Sequence, residues 1–388
     1  MIFALITLAF WLSAGVIVYA YVGYFVWLWV RAKWRPRPAM RGQIEPVLSV
    51  VMVVRNEESV LAAKLRNLLE LDYPPERLQV VVVSDGSTDG TEAILREHAS
   101  DPRVVVVLNQ LAGGKAMGLN DGIQVAQGEI VVLTDARQKI EPGAIRLLME
   151  NFADPEVGAV SGELMLGDPA SGETGRGMGL YWQIEKQVRE LEAYSGSVVG
   201  ATGAIYAVRR ELIVKVPADT ILDDVFIPMN VARQKFRVLF DARARAWDTP
   251  DLGAEREFRR KVRTLTGNYQ LLQQAPWLLS RENPLRFEFI SHKLIRLVVP
   301  FALIAALVTA AFLPGPFFRI ALWGQLAFYG LSLLGWAGWN SGPVTRLAEV
   351  AYTFVALNAA ALVAFGNFVT GHTTVWMAPP IRKEIPLR

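Results

Sequence analysis

Residues 79–91, QVVVVSDGSTDGT, constrain the fold more than any other stretch of the chain. Four consecutive valines are β-branched and wholly apolar, which suits a parallel strand buried on both faces. The run stops at Ser84-Asp85-Gly86, and Thr88-Asp89-Gly90-Thr91 then supplies residues that cap and start a helix. Asp85 therefore falls at the carboxyl end of a strand, where open α/β sheets bind their ligands. A carboxylate there accepts from a ribose or base-edge donor and repels a bare phosphate. It serves equally well as the cap of a plain strand–turn–helix.

The same alternation continues on both sides. VLSVVMVV (47–54) precedes a helical pattern at 57–70, and VVVVL (104–108) precedes one at 115–126. EIVVLTD (129–135) precedes a helix from about 142 to 151, and EVGAVSGE (156–163) reads as a fifth strand. This pattern predicts an α/β fold with a doubly wound, mostly parallel, Rossmann-like sheet, in one domain over 47–254. The later part of that domain is less regular. It holds a Gly-rich stretch (167–179), a polar helical pattern (180–193), the loop GATGA (200–204), the acid pair Asp223-Asp224 and a strand-like FRVLF (236–240).

The chain has 388 residues, and its hydrophobic excess is concentrated at the two ends. Residues 2–30 carry no charge and are long enough to span a bilayer, so 1–30 reads as an N-terminal transmembrane helix. A signal peptide would want a basic residue before a shorter apolar core. The basic linker 31–46 follows at once, which puts the middle of the chain in the cytoplasm and the N-terminus outside. Apolar segments near 296–313, 319–338 and 348–369 predict about three transmembrane helices within 291–370. Three spans would leave the C-terminus outside, yet the tail 371–388 is basic, with Arg382, Lys383 and Arg388. One of the three segments is therefore open to an interfacial or re-entrant reading. Residues 255–290 mix basic residues with Leu, Tyr and Trp, as in an amphipathic segment at a membrane interface.

Cysteine is absent and the three histidines are scattered, so thiolate and histidine metal clusters are excluded. The net charge of +3 does not call for nucleic acid, because the basic excess lies beside membrane segments and suits lipid headgroups. Arg55-Asn56-Glu57, Ser84-Asp85-Gly86 and Asp135-Ala136-Arg137 each end a predicted strand, and in a doubly wound sheet such ends share one crevice. No Gly-x-Gly-x-x-Gly and no Gly-x-x-x-x-Gly-Lys-Ser/Thr follows the first strand, which argues against a dinucleotide oxidoreductase and a P-loop nucleotidase. Gly113-Gly114-Lys115 reads as a loop and helix start, or as a lysine aimed at a diphosphate.

Seven pieces then fall in order: VVRNEE, VVVVSDGSTDGT, GGKAMGLNDG, LTDAR, GATGAIYAVRR, ILDDV and RKVRT. With them the chain resembles the membrane-bound family 2 glycosyltransferases of GT-A fold, related in plan to cellulose and hyaluronan synthases, over roughly residues 47–270. The resemblance implies that Arg55, Glu57 and Asp85 contact the base and ribose of a nucleotide-sugar donor, with Lys115 near its phosphates. It implies that Asp135, as first acid of an Asp-x-Asp motif, holds the ribose and a Mg²⁺ or Mn²⁺ ion. It makes Asp224, beside Asp223, the general base, and Arg263 the group that steadies the departing diphosphate. The chemistry is coherent: a cation and an arginine neutralise the leaving group, and a carboxylate activates an acceptor hydroxyl. Two adjacent acids can also raise one another's pKa, although acids favour any helix N-terminus.

Two positions depart from the pattern. Arg137 stands where the second acid of Asp-x-Asp belongs, so either Asp135 with another group holds the ion, or Arg137 itself supplies positive charge near the diphosphate. Arg260-Lys261-Val262-Arg263-Thr264 lacks the Gln and Trp of Gln-x-x-Arg-Trp, which weakens a case for processive polymer synthesis. The expectation is an inverting hexosyltransferase in a bacterial inner (plasma) membrane, its catalytic domain cytoplasmic. It would take a nucleotide-sugar, a UDP-sugar by preference, and a glycan or lipid-linked acceptor. A polyprenyl-phosphate sugar synthase and a non-catalytic scaffold subunit are the alternatives.

Overall fold

The computed structural model describes residues 1–167, 180–249, 254–339, 342 and 344–371. They fall into two compact units: a sheet unit of 38–167 and 196–249, and a helical unit of 1–37, 180–195 and 254–371. The span 47–254 is thus interrupted, because the helix Leu180–Ser195 groups with the helical unit. The Gly-rich stretch after Gly167 and the tail after Gly371, with Arg382, Lys383 and Arg388, lie outside the described residues.

The sheet unit is built on β1 (Leu48–Val54), β2 (Leu78–Asp85), β3 (Val104–Asn109), β4 (Ile130–Leu133), β5 (Lys139–Ile140), β6 (Val157–Leu166), β7 (Tyr206–Arg209) and β8 (Arg237–Asp248). These form one sheet in the order β3-β2-β1-β4-β7-β6-β8-β5. The first four strands are parallel. β7 then runs antiparallel to both β4 and β6, β6 and β8 pair in parallel, and β5 closes the edge antiparallel to β8. The sheet is therefore parallel in its first half and mixed beyond it.

The valine runs behave as their composition dictates. Val80 to Val83 and the whole of β1 are buried, since helices cover both faces of a parallel sheet. The helix Glu58–Leu69 buries Leu61, Leu65 and Leu68 completely. Each such leucine contributes about 1.5–3 kcal/mol of burial relative to an exposed one. Because β1, β2 and β4 share a direction, Arg55–Glu57, Ser84–Gly86 and Thr134–Arg137 meet at one edge. β7 is reversed, so the loop before Tyr206 arrives at that edge as well.

In the helical unit, Ile2–Trp34, Arg286–Phe312, Pro316–Trp336 and Val344–Val369 are all long and apolar enough to cross a membrane. By length and composition, all three C-terminal segments qualify as spans. Phe10 packs against Ala310 and Leu313, joining the first and second of these helices. The amphipathic helix Ala254–Gln274 sets Val262 against Ala360 and Ala364. The helix Leu180–Ser195 is held by polar contacts: Tyr24 donates to Glu192 at 2.6 Å, and Arg296 pairs with Glu185 at 2.8 Å. His292 bridges Glu192 and Glu185 at 2.8 and 2.9 Å. Buried charges tolerate such an environment only when paired this way.

Candidate active site at the carboxyl edge of the sheet

The loops after β1 and β2 are tied to one another before any ligand is considered. The two carboxylate oxygens of Asp89 accept from the backbone N–H groups of Thr91 (3.0 Å) and Glu58 (3.2 Å), so one side chain caps the starts of two helices. Glu58 returns a contact to the Gly90 N–H at 2.9 Å, and Thr91 Oγ1 accepts from the Glu57 N–H at 2.9 Å. Asn56, with φ of 54°, accepts from the Thr88 N–H at 2.8 Å. Asparagine is among the side chains that tolerate this left-handed backbone.

Asp85 is fully buried, and both of its oxygens face backbone donors. Oδ1 accepts from the Gly113 N–H at 2.7 Å and Oδ2 from the Gly114 N–H at 2.9 Å. Its observed work is to fix the loop that leads into Lys115. Gly86 serves the same contact: its φ is +61°, and a Cβ there would stand 2.7 Å from the Ala112 nitrogen. Only glycine meets both conditions without strain.

That loop delivers Lys115 into a cluster of acids. Its ammonium lies 2.8 Å from Asp135 Oδ1 and 3.3 Å from Asp223 Oδ1. Burial pushes Lys115 down, but the charges of Asp135 and Asp223 outweigh it and hold the group above the ordinary lysine value. Asp223 is buried at the start of the helix Asp223–Arg233, and its pKa is raised by burial. Asp135 adds to that rise and Lys115 opposes it. Asp224, next along the helix, is half-buried where Asp223 is buried. A Cβ on Gly203 would stand 3.2 Å from Asp135 Oδ2 and 3.8 Å from Asp224 Oδ2, so a side chain here would crowd both acids.

Glu57 lies within the field of Asp135 and Arg137. Burial raises its pKa, Arg137 lowers it and Asp135 raises it. Arg137 itself is exposed and makes no hydrogen bond or ion pair with a described residue. Arg55 is half-buried at the end of β1.

Two groups belong to this site that sequence reasoning missed. Lys64 is buried beneath the β4 turn, donating to Thr134 Oγ1 at 3.0 Å and to the Gln138 carbonyl at 2.6 Å. Burial brings its pKa down to about 7, with Asp135 pulling the other way. It stands on the same helix face as Leu61, Leu65 and Leu68, a spacing that could have marked it as buried. Tyr206 is the other. Its hydroxyl is buried without a hydrogen-bond partner among the described residues, and its pKa is raised by burial and then by Asp223, Asp224 and Asp135.

Cations facing acids at the carboxyl edge of a parallel half-sheet suit a phosphorylated ligand and a proton acceptor in one crevice. Residues 49–216 match the family described as Glycosyl transferase family 2. The chain carries a glycosyl transferase family 2 domain. Beta-monoglucosyldiacylglycerol synthase of Synechocystis sp. is 28% identical over 199 residues, 50% of this chain and 42% of the relative. Poly-beta-1,6-N-acetyl-D-glucosamine synthase of Staphylococcus epidermidis is 24% identical over 240 residues, 61% of this chain and 57% of the relative. The chain thus spans about half the length of these curated relatives. Among solved structures, the mannosyltransferase PcManGT of Pyrobaculum calidifontis, in complex with GDP-Man and Mn²⁺, superposes with a TM-score of 0.71 at 23% identity. The match covers 93% of this chain and 99% of that one. The likeness is one of fold, and it is the GT-A fold.

The sheet unit brings Glu57, Asp85, Lys115, Asp135, Arg137, Asp223 and Asp224 to one region, the last two beyond the residues that match the family. Arg263 belongs to the helical unit, exposed on the helix Ala254–Gln274. Among the described residues no group of three Asp, Glu or His side chains is arranged to hold a metal ion, and the Asp135 oxygen nearest Lys115 is engaged by its ammonium.

Proposed function

We propose that the chain is a membrane-anchored, inverting glycosyltransferase that moves a sugar from a nucleotide-sugar, a UDP-sugar, to a hydroxyl of a polysaccharide or glycolipid acceptor. The observation that carries this reading is the half-buried Asp224 carboxylate beside the Lys115–Asp135–Asp223 cluster. Asp224 takes the proton of the acceptor hydroxyl, whose oxygen forms the new bond to the anomeric carbon. The bond from that carbon to the diphosphate breaks on the opposite face, so the configuration inverts. Lys115 and Arg137 receive the charge of the departing diphosphate, a task that fixed cations perform without reorganisation. Arg263 shares it by the motif resemblance. Asp85 acts through the Gly113–Gly114 loop, and Arg55 and Glu57 lie toward the nucleoside. Catalysis belongs on the cytoplasmic face of a bacterial inner membrane, since the basic linker follows the first span.

Nucleotide release from a panel of UDP-sugars, by the purified chain supplied with lipid and glycan acceptors, tests the reading. Asp224→Asn lowers turnover by about a thousandfold while nucleotide binding persists. Wild-type turnover in that variant refutes the base assignment. Substantial residual activity points to an acceptor that is already ionised, such as a polyprenyl phosphate.

A further inference from the structure

We infer that this site neutralises the donor's diphosphate with its own cations, Lys115 and Arg137, and works without a divalent metal ion. The inference rests on the donor-site reading above and concerns only how that donor is held.

A hard dication such as Mg²⁺ needs near-octahedral oxygen ligands at about 2.0–2.1 Å. Water and substrate phosphates supply most of these, so the protein's share is one or two carboxylate oxygens. Asp135 and Asp223 turn one oxygen each toward a common point, and the Lys115 ammonium occupies it at 2.8 and 3.3 Å. A dication bridging these carboxylates would have to displace that ammonium from a partly buried pocket. The next polar position of the β4 turn is Arg137, a cation where a metal site needs an acid. Arg137 and Asp135 both act on the Glu57 carboxyl, so the guanidinium charge falls in the same part of the crevice. Lys64 underlies the same turn through Thr134 and Gln138 and adds a further basic group to it.

The same residues suit a diphosphate directly. A guanidinium offers a planar fork of donors that matches two phosphate oxygens, and Arg137 is exposed with no competing partner among the described residues. Lys115 contributes a point charge, brought to the crevice by a loop whose amides are fixed by Asp85. Arg137 thus brings a positive charge that no described carboxylate pairs with, while the Lys115 charge is shared with Asp135 and Asp223 until a diphosphate competes for it.

The test uses the full-length chain in nanodiscs, with UDP and GDP as calorimetric probes, in EDTA and in excess Mn²⁺. At least one nucleotide binds in EDTA, and Mn²⁺ changes its affinity by less than about threefold. Electron paramagnetic resonance of Mn²⁺ added with that nucleotide shows the same spectrum with and without the protein. Arg137→Asp restores an acid at this position: binding in EDTA weakens by about tenfold and Mn²⁺ recovers it. Arg137→Gln weakens binding alike without recovery, which separates charge from misfolding. Wild-type binding that requires Mn²⁺, or a spectrum that the wild-type protein changes, overturns the inference and leaves the glycosyltransferase reading intact. Unchanged binding by Arg137→Asp in EDTA overturns the role of Arg137. Binding of neither nucleotide under either condition overturns the donor-site reading, and this inference with it.

Discussion

Replacing Lys115 with methionine tests the acid cluster as a physical object, independently of catalysis. Methionine keeps most of the apolar stem and removes the ammonium that faces Asp135 and Asp223. Deleting one member of a fully buried ion pair costs about 3–5 kcal/mol, because the partner is left charged and unpaired. That figure is an upper bound here. The Asp135 side chain is 41% exposed and is re-solvated, so its share is about 0–1 kcal/mol. Asp223, with a side chain only 6% exposed, carries the rest, and the net loss is about 2 kcal/mol at neutral pH. For a unit of this size that corresponds to about 4–8 °C in apparent Tm. The sign with pH follows from Asp223. Its folded pKa is already raised by burial, with Lys115 restraining the rise. Without Lys115 it rises further, so the native state keeps a proton that the unfolded chain releases near pH 4. Stability of the variant therefore falls, relative to wild type, as pH rises through the folded Asp223 value. Thermal melts in detergent should show a smaller deficit at pH 5 than at pH 8. Equal deficits at the two pH values would mean that the loss is one of packing, and the electrostatic account would fail.

Two further outcomes are expected. Asp85→Asn offers one acceptor oxygen where two amides need one each, at a cost of about 1–3 kcal/mol; amide exchange at Gly113 and Gly114 should quicken and donor KM should rise more than kcat falls, and unchanged exchange would contradict the anchoring role. Burial brings the Lys64 pKa down to about 7, below an unfolded lysine, so the unfolded chain binds more protons between about pH 7 and 10 and wild-type stability climbs across that window. Lys64→Met should lack the climb, and parallel Tm-against-pH curves for the two proteins would refute the buried-lysine assignment.

The first half of the sheet unit was legible because its signals are local. Long β-branched runs separated by helical patterns leave few alternatives to β1 through β4. β7 was not, since Tyr206–Arg209 is four residues long and sits against a Gly-rich loop, and its reversal depends on which neighbours it finds. β5 has two residues, too few for any period to register. At the site, residue types in motif order located the acids, Lys115 and Arg137. Their partners were beyond reach, because Asp85 meets the Gly113–Gly114 amides only after two strands pair. Lys64 was overlooked for a different reason: a lysine in a helical pattern reads as solvated, although its spacing from Leu61 and Leu68 put it on the buried face. Tyr206 lay inside a quoted motif, but an unpartnered hydroxyl is a property of packing and has no signature in sequence.

Six of the eight strands run one way, so the reactive side chains gather where those strands end and away from the opposite edge of the sheet. The chain also contains no cysteine. A single thiol introduced at Ala99, exposed in the turn that feeds β3 from that opposite edge, would be unique in the molecule. It gives a fluorophore or a surface tether one defined attachment point on the far side of the sheet from Lys115. Immobilised or labelled protein of this kind would report nucleotide binding without a reporter in the crevice itself.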